Sequence, residues 1–429
     1  MMKPLCTKPC NTLRYGVFLF IVTLSAFLLY PLSLQLISEI CQHHAAKHME
    51  KGHYGLAVGE LEKAAQYPFA DSEIYRNMGE TFYLMAGVIR NSDRKWDYLK
   101  KSEDAFQKAA QSNSLDYRIF LGLAKTQWYM ETIYRNSYPE AKEIPFAPLV
   151  HFRQAVRLRP NGIQNNFALL RYLSRTGHQD EMYAVIRRLV HNWPPVFAYL
   201  KKEDFWSADL LPICREGLRE AIEKKVLPRQ AHMILSGILA EAKDWPEAIL
   251  YLQNAMGYKD FENRTADYLR LGHLYFQNRE KQKAEEQYFR GLGMSRNREK
   301  DLENLYGFYK KQESAEDFYA FLQQIRKKFS FSFRTDILAA RVLADLKRYP
   351  EAKDILRQIN INRPQAQAYY WLAKIAEMEQ DWDAMELAIQ KATVYDPENR
   401  HYHAVFSNVL RRLKKYERAE KEAALSRKK

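Results

Sequence analysis

The 429-residue sequence has four cysteines, Cys6, Cys10, Cys41 and Cys214, too few and too scattered for a disulfide framework. No CxxC pair occurs, which removes a zinc knuckle and a thioredoxin-like site. GxSxG, HExxH, Walker A, GxGxxG and EF-hand patterns are all missing, so no hydrolase nucleophile, phosphate loop or calcium loop is encoded locally. No cofactor site is read, and the chain is expected not to be an enzyme. A basic stripe along the body is missing too. The net charge of +14 gathers at the ends: Lys3, Lys8 and Arg14 at one, and at the other nine basic residues from Arg411 to Lys429 opposed by Glu417, Glu420 and Glu422. With no zinc-finger or RNP-type signature either, nucleic acid is not an expected partner.

One apolar run is present, and no second follows. Tyr15 to Ser38 reads YGVFLFIVTLSAFLLYPLSLQLIS without a charge. As a helix rising about 1.5 Å per residue it reaches roughly 36 Å, enough to cross a hydrocarbon core of about 30 Å. Pro31 falls late in it, and Tyr30 suits the interface. The basic Lys3, Lys8 and Arg14 would also serve a secretory signal. No A-x-A-like cleavage site follows, and ISEIC lacks the small residues expected before a lipidated cysteine, which favours an uncleaved anchor. Basic residues before the run and Glu39 after it put the N-terminus in the cytoplasm. The expectation is a single-pass inner (cytoplasmic) membrane protein, with residues 1–14 a short basic cytoplasmic tail, 15–38 the transmembrane signal-anchor helix, and the rest in the periplasm.

The remainder repeats. Pro160, Pro194 and Pro228 are 34 residues apart and Pro364 and Pro397 are 33 apart, the period of a helix pair closed by a helix-stopping proline. Ahead of Pro397, Tyr369, Leu372, Ala373 and Ala376 form one apolar stripe at helical spacing, and Met385, Ile389 and Ala392 a second after the turn EQDW. The segment from Thr265 gives Tyr268, Leu271, Gly272 and Tyr275, then Ala284 and Tyr288.

In these positions the chain resembles the tetratricopeptide repeat (TPR) family: an aromatic, Leu-Gly and Tyr on the first helix, then Ala, an aromatic and Ala on the second. The resemblance covers most of residues 39–426 as about ten or eleven units. It implies an all-α, TPR-type superhelical solenoid of antiparallel helix pairs preceded by one N-terminal transmembrane helix. The pattern fades near 197–228 and 299–332 and is stretched near 72–114 and 115–162. There Gly79 to Phe106 and Gly122 to Phe152 replace the usual interval of about 16 residues, as Gly272 to Tyr288 shows it, with much longer ones. Residues 427–429 are a basic tail, and the terminal helix pair is expected to be a solubilising cap.

The stretch CQHHAAKHMEKGHY, Cys41 to Tyr54, invites a metal site, since Cys41, His44 and His48 fall on one helical face. If Ala57, Leu61 and Ala64 form the second helix of the first repeat, the same three residues occupy its aromatic, Leu and Tyr core positions. The expectation is packing, not ligation.

The resemblance also implies a protein or peptide partner in a concave groove lined by first helices. Register by register, the candidates are Arg76, Glu80 and Tyr83, then Phe167 and Arg171, then His273 and Phe276, then Tyr370 and Lys374. The carboxylate-holding Lys and Asn of cytosolic co-chaperone repeats are replaced here, as by Leu269 with His273. That disfavours a chaperone adaptor. The aromatic group Trp128, Tyr129, Tyr134, Tyr138 and Phe146 adds candidates that could stack on a sugar or anchor a peptide, or pack on one another. The expected function is a non-enzymatic, membrane-anchored TPR scaffold at the bacterial cell envelope, with polysaccharide assembly or export as the process and polysaccharide left open as a ligand. A chaperone-like envelope assembly factor and a eukaryotic organelle-membrane receptor remain as alternatives.

Overall fold

A computed structural model describes residues 11–67, 71–140, 143–258, 260–329 and 332–427; side chains of 11–17, 19, 21, 26 and 28 are outside it. Lys3, Lys8, Cys6, Cys10, Lys428 and Lys429 lie outside the described residues, as does the side chain of Arg14. Among the described residues every regular element is a helix, and helices alternate as the first and second members of antiparallel pairs. The pairs are α1 (Asn11–Glu50) with α2 (Tyr54–Ala65), α3 (Ser72–Val88) with α4 (Ser92–Ser112), α5 (Tyr117–Ser137) with α6 (Pro148–Leu158), and α7 (Ile163–Thr176) with α8 (Gln179–Asn192). The one-turn α9 (Phe197–Leu200), flanked by two short 3-10 turns, precedes α10 (Leu211–Glu223). Then come α11 (Pro228–Glu241) with α12 (Trp245–Met256), α13 (Thr265–Gln277) with α14 (Lys281–Met294), and α15 (Arg298–Lys311) with α16 (Ala315–Lys328). The last are α17 (Phe333–Asp345) with α18 (Tyr349–Asn362), α19 (Ala366–Met378) with α20 (Trp382–Tyr395), and α21 (Arg400–Arg412) with α22 (Tyr416–Arg427). The chain forms two compact units, Met1–Ile234 and Leu235–Lys429. Each is a run of TPR-type pairs.

One turn chemistry closes eight of these pairs. Gly52, Gly177, Lys243, Arg279, Glu313, Lys347, Gln380 and Lys414, each just past the end of a first helix, adopt positive φ. The following N–H then reaches back five residues, as in His53 to His48 O at 2.8 Å, Arg348 to Leu343 O at 2.8 Å and Lys415 to Leu410 O at 2.8 Å. This is the Schellman closure, which satisfies helix-end carbonyls and reverses the chain in a few residues. The pairs without it are the two stretched ones and the pair containing α9.

Inside the pairs, small residues admit large rings. A Cβ on Gly272 would sit 2.3 Å from Cε1 of Tyr288, whose ring is fully buried. In the stretched region Phe106 lies between Gly79 and Gly122, whose added Cβ atoms would approach it to 2.8 and 2.2 Å. Gly122 therefore faces the ring of the preceding pair, whereas Phe152 packs on Trp128 and Tyr172. α4 and α5 are 21 residues each, against 14 in α7 and α8. Residues 299–332 form a regular pair after all, because Tyr306, Tyr309, Phe318 and Phe321 supply the core. The 197–228 unit is irregular, since Pro194, Pro195 and the polar KKEDFW leave α9 only one turn.

At the N-terminus α1 runs unbroken through the apolar segment into the first pair, with Pro31 inside it. Among the described residues it is the one helix long and apolar enough to cross a membrane. Ser38, Cys41 and Ala45 of the same helix are buried, and Cys41 and Ala45 pack with Ala57, Leu61 and Ala64 of α2 and Ile74 of α3. At the other end, Lys415 and Arg418 reach the nearly buried Glu386 of α20, and Arg412 lies over the Trp382 ring. Part of the basic terminus is thus spent on internal contacts.

Candidate functional site

The helical register in the last turns of α1 differs from the one expected. The buried stripe is Ser38, Cys41 and Ala45, with Met49 partly buried; His44 is exposed and His48 half-buried. Successive buried positions at i, i+3 or i+4 pass through Ala45, which turns His44 about 100° away. His44 Nδ1 lies 4.0 Å from Glu60, His43 and His44 rings are 6.4 Å apart, and the His48 ring neighbours that of His53. Among the described residues no three His, Cys, Asp or Glu side chains come together to hold a metal ion. Burial, and then the charge of Glu60, push the Cys41 thiol up, which disfavours the thiolate a metal would need.

Most groove candidates of the first unit are engaged by other side chains of the chain. Tyr83 on α3 meets Tyr129 on α5 edge to face at 6.1 Å, and Lys95 sits over the Tyr129 ring. Trp128 packs against Phe152 at 6.1 Å and Tyr172 at 5.6 Å, beneath the Arg175 guanidinium. Tyr134 touches Tyr138 at 5.0 Å and Phe146 at 6.0 Å. Phe167 is buried. Arg76 pairs with Glu73, and Arg171 donates two bonds to Glu203 at 2.7 and 2.9 Å. Glu80 and Tyr138 stand exposed. Below the aromatic group, Glu131 is nearly buried, accepting from Arg135 at 2.8 Å and from Tyr172 Oη at 3.2 Å. Burial, and then that carboxylate, push the Tyr172 phenol up to about 12, so it stays a donor.

In the second unit, His273 stacks on Phe308 of α15 at 4.0 Å, and Phe276 meets Phe308 and Tyr309. Burial pushes His273 down to about 4, leaving it neutral between aromatic rings. Tyr370 stacks on Tyr402 at 5.2 Å and hydrogen-bonds His401 at 3.1 Å. Lys374 pairs with Glu377. Several positions beside the core stripe therefore knit one first helix to the next.

One open recess on first helices, of about 390 Å³, runs across α15, α17 and α19, where 299–332 lack the repeat's marks in the sequence. Lys300 and Arg334 face it without an ion pair among the described residues. Glu299 accepts from Ser332, and Glu303 accepts from Arg341 at 2.6 Å. The Thr335 hydroxyl is buried there without a partner. Stepping back about one repeat from the turn at Lys347 reaches Glu313, the turn that closes α15.

No protein-family model matches the sequence, and no curated protein matches it. Solved structures do. Yeast Tom70 is 12% identical over 92% of this chain and 93% of its own, with a TM-score of 0.30. Naa15/Naa10 bound to HypK-THB is 12% identical, covering 91% and 63%, at 0.37. The TPR domain of P58(IPK) is 12% identical, covering 88% and 98%, at 0.24. These are likenesses of fold alone, and the repeat assignment rests on the helix pairs of this chain.

Proposed function

We propose that the chain is a membrane-anchored scaffold, without catalysis of its own, that holds a protein or peptide segment against its first helices. One observation carries the anchoring: large apolar side chains of α1, among them Phe18, Phe20, Phe27, Tyr30, Leu36 and Ile40, stand exposed on a single helix. Water is a poor solvent for that surface, and lipid is the natural cover. Two hydroxyls in the run are consistent with this, since Thr23 donates to Phe20 O at 3.0 Å and Ser33 to Tyr30 O at 2.7 Å within the helix. Cleavage as a signal peptide is disfavoured, because the residues that would flank the cut, Ser38 and Cys41, lie in helix and in the first core. With Lys3, Lys8 and Arg14 ahead of the span, the repeats lie on the far side from the cytoplasm, the periplasm of a bacterial envelope. Polysaccharide assembly or export is the process we favour there.

For the partner face, the alternating charges of Glu299, Lys300, Glu303, Arg334 and Arg341 suit an extended polar segment better than an apolar helix. Photocrosslinking side chains at Lys300 and Arg334 should capture one and the same protein, while side chains at Leu250 and Leu387 on second helices should not. Equal capture from all four positions would refute a groove-bound partner.

A further inference from the structure

We propose that the recess between α6 and α8 in the first unit binds an oxyanion of phosphate type, held by Arg188 and Arg157. The recess has a volume of about 350 Å³, and its floor is apolar: Val156, Pro160, Leu169 and Val185. Three guanidinium groups line it, from Arg153, Arg157 and Arg188, against the single carboxylate of Glu181. That carboxylate is already taken, since Arg153 donates Nε and Nη2 to it at 2.9 and 2.7 Å. On the other flank of α8, Glu220 is taken by Arg187. Arg157 is exposed and makes no ion pair among the described residues.

Arg188 is the unusual member. Its guanidinium is half-buried, its Nε is wholly buried without a partner, and it meets no carboxylate among the described residues. Burial disfavours its charge, and nothing nearby offsets that. Yet the group is held in place. Fully buried Asn166 accepts from Arg188 Nη2 at 2.8 Å while donating to Pro160 O at 2.7 Å and Gly162 O at 2.8 Å. A positioned, unneutralised guanidinium over an apolar floor is a preorganised anion receptor, because low polarity strengthens each charge-assisted bond. The surplus of about two positive charges matches a phosphate group, which carries about −1.5 to −2 at neutral pH. The planar fork of arginine also fits its oxygens. The site's arginines are on second helices of the first unit and the residues proposed for the partner are on first helices of the second, so the two readings share no residue and stand or fall separately.

The source is a free phosphate or a phospholipid headgroup, and titration of the detergent-solubilised full chain separates them. Inorganic phosphate should bind saturably in calorimetry at constant ionic strength. Arg157→Gln should weaken it about tenfold, and Arg188→Gln should abolish it. Dihexanoyl phosphatidic acid binding at least tenfold tighter than phosphate, with dihexanoyl phosphatidylcholine inert, would assign the headgroup; equal or weaker binding would assign the free ion. Because Arg188→Gln could disturb packing, the exposed Arg157 carries the decisive variant. No saturable binding of either probe, or binding unchanged in Arg157→Gln, overturns the proposal.

Discussion

Replacing Gly272 by Ala tests the packing that defines the repeat. The new methyl would lie 2.3, 2.5 and 3.0 Å from Cε1, Cδ1 and Cζ of Tyr288, well inside the ordinary carbon contact of about 3.5–4 Å. The ring has little room to retreat, with His273 at 5.6 Å, Phe321 at 5.7 Å and Tyr309 at 6.1 Å around it. Overpacking of this kind costs about 1–3 kcal/mol, against a helix-propensity gain near 1 kcal/mol, so a net loss of up to about 2 kcal/mol is expected. Gly307 is the control: it is also inside a helix, and nothing lies within 4 Å of its added Cβ. Gly307→Ala should therefore stabilise by about 1 kcal/mol. Hydrogen exchange of the α13–α14 amides, read beside urea unfolding of the solubilised chain, measures both. Shrinking the ring in a Gly272→Ala, Tyr288→Leu double variant should show favourable coupling of about 1 kcal/mol or more. If Gly272→Ala matches or exceeds the stability of Gly307→Ala, the close-approach argument fails.

Lys347 holds φ near 60°, where a side chain costs about 1 kcal/mol relative to glycine, so Lys347→Gly should raise stability by up to about 0.5 kcal/mol after the entropy of the freer unfolded chain, roughly 0.5–1 kcal/mol, is counted. A loss on urea unfolding would mean that the lysine makes contacts outweighing the strain. His273 is pushed down to about 4 by burial, so as pH falls from about 6.5 toward 4 the unfolded chain takes up a proton that the folded chain refuses. Stability should fall through that window by up to about 3 kcal/mol, and His273→Phe should remove that part of the slope; identical slopes would show that the imidazole is not sequestered. Carbonate extraction should leave the full chain in the membrane pellet, and a phosphatase fused after Lys429 should be active in a bacterial periplasm. A soluble form beginning after residue 30 would restore the signal-peptide reading, and an inactive fusion would put the repeats in the cytoplasm.

The helix pairs were legible because their signal is local. Apolar periodicity, proline stops and small residues opposite aromatics all lie within one 34-residue unit, so Gly272 with Tyr288 and Ala373 with Ile389 could be paired by counting alone. The apolar run of α1 was legible for the same reason, since length and lack of charge are properties of a segment. Counting failed where the pattern depends on a neighbour. Residues 299–332 looked degenerate because their core is built from Tyr309 and Phe321 meeting Tyr288 of the pair before, an exchange of ring for ring that no single unit displays.

Outside the last turns of α1, where Ala45 and not His44 enters the core, sequence by itself determined which faces of the helices are apolar and where most pairs close, since both follow from periods of a few residues. Tertiary structure alone decided which polar side chains remain free. Whether Arg171, Tyr370 or His273 faces a groove or grips the next helix depends on partners some 30 residues away, Glu203, Tyr402 and Phe308. The same holds for Arg188, whose missing carboxylate is a fact about the space between α6 and α8. A charge is spoken for only when a partner lies within a few ångströms, and that distance is set by packing between repeats, which sequence spacing does not encode.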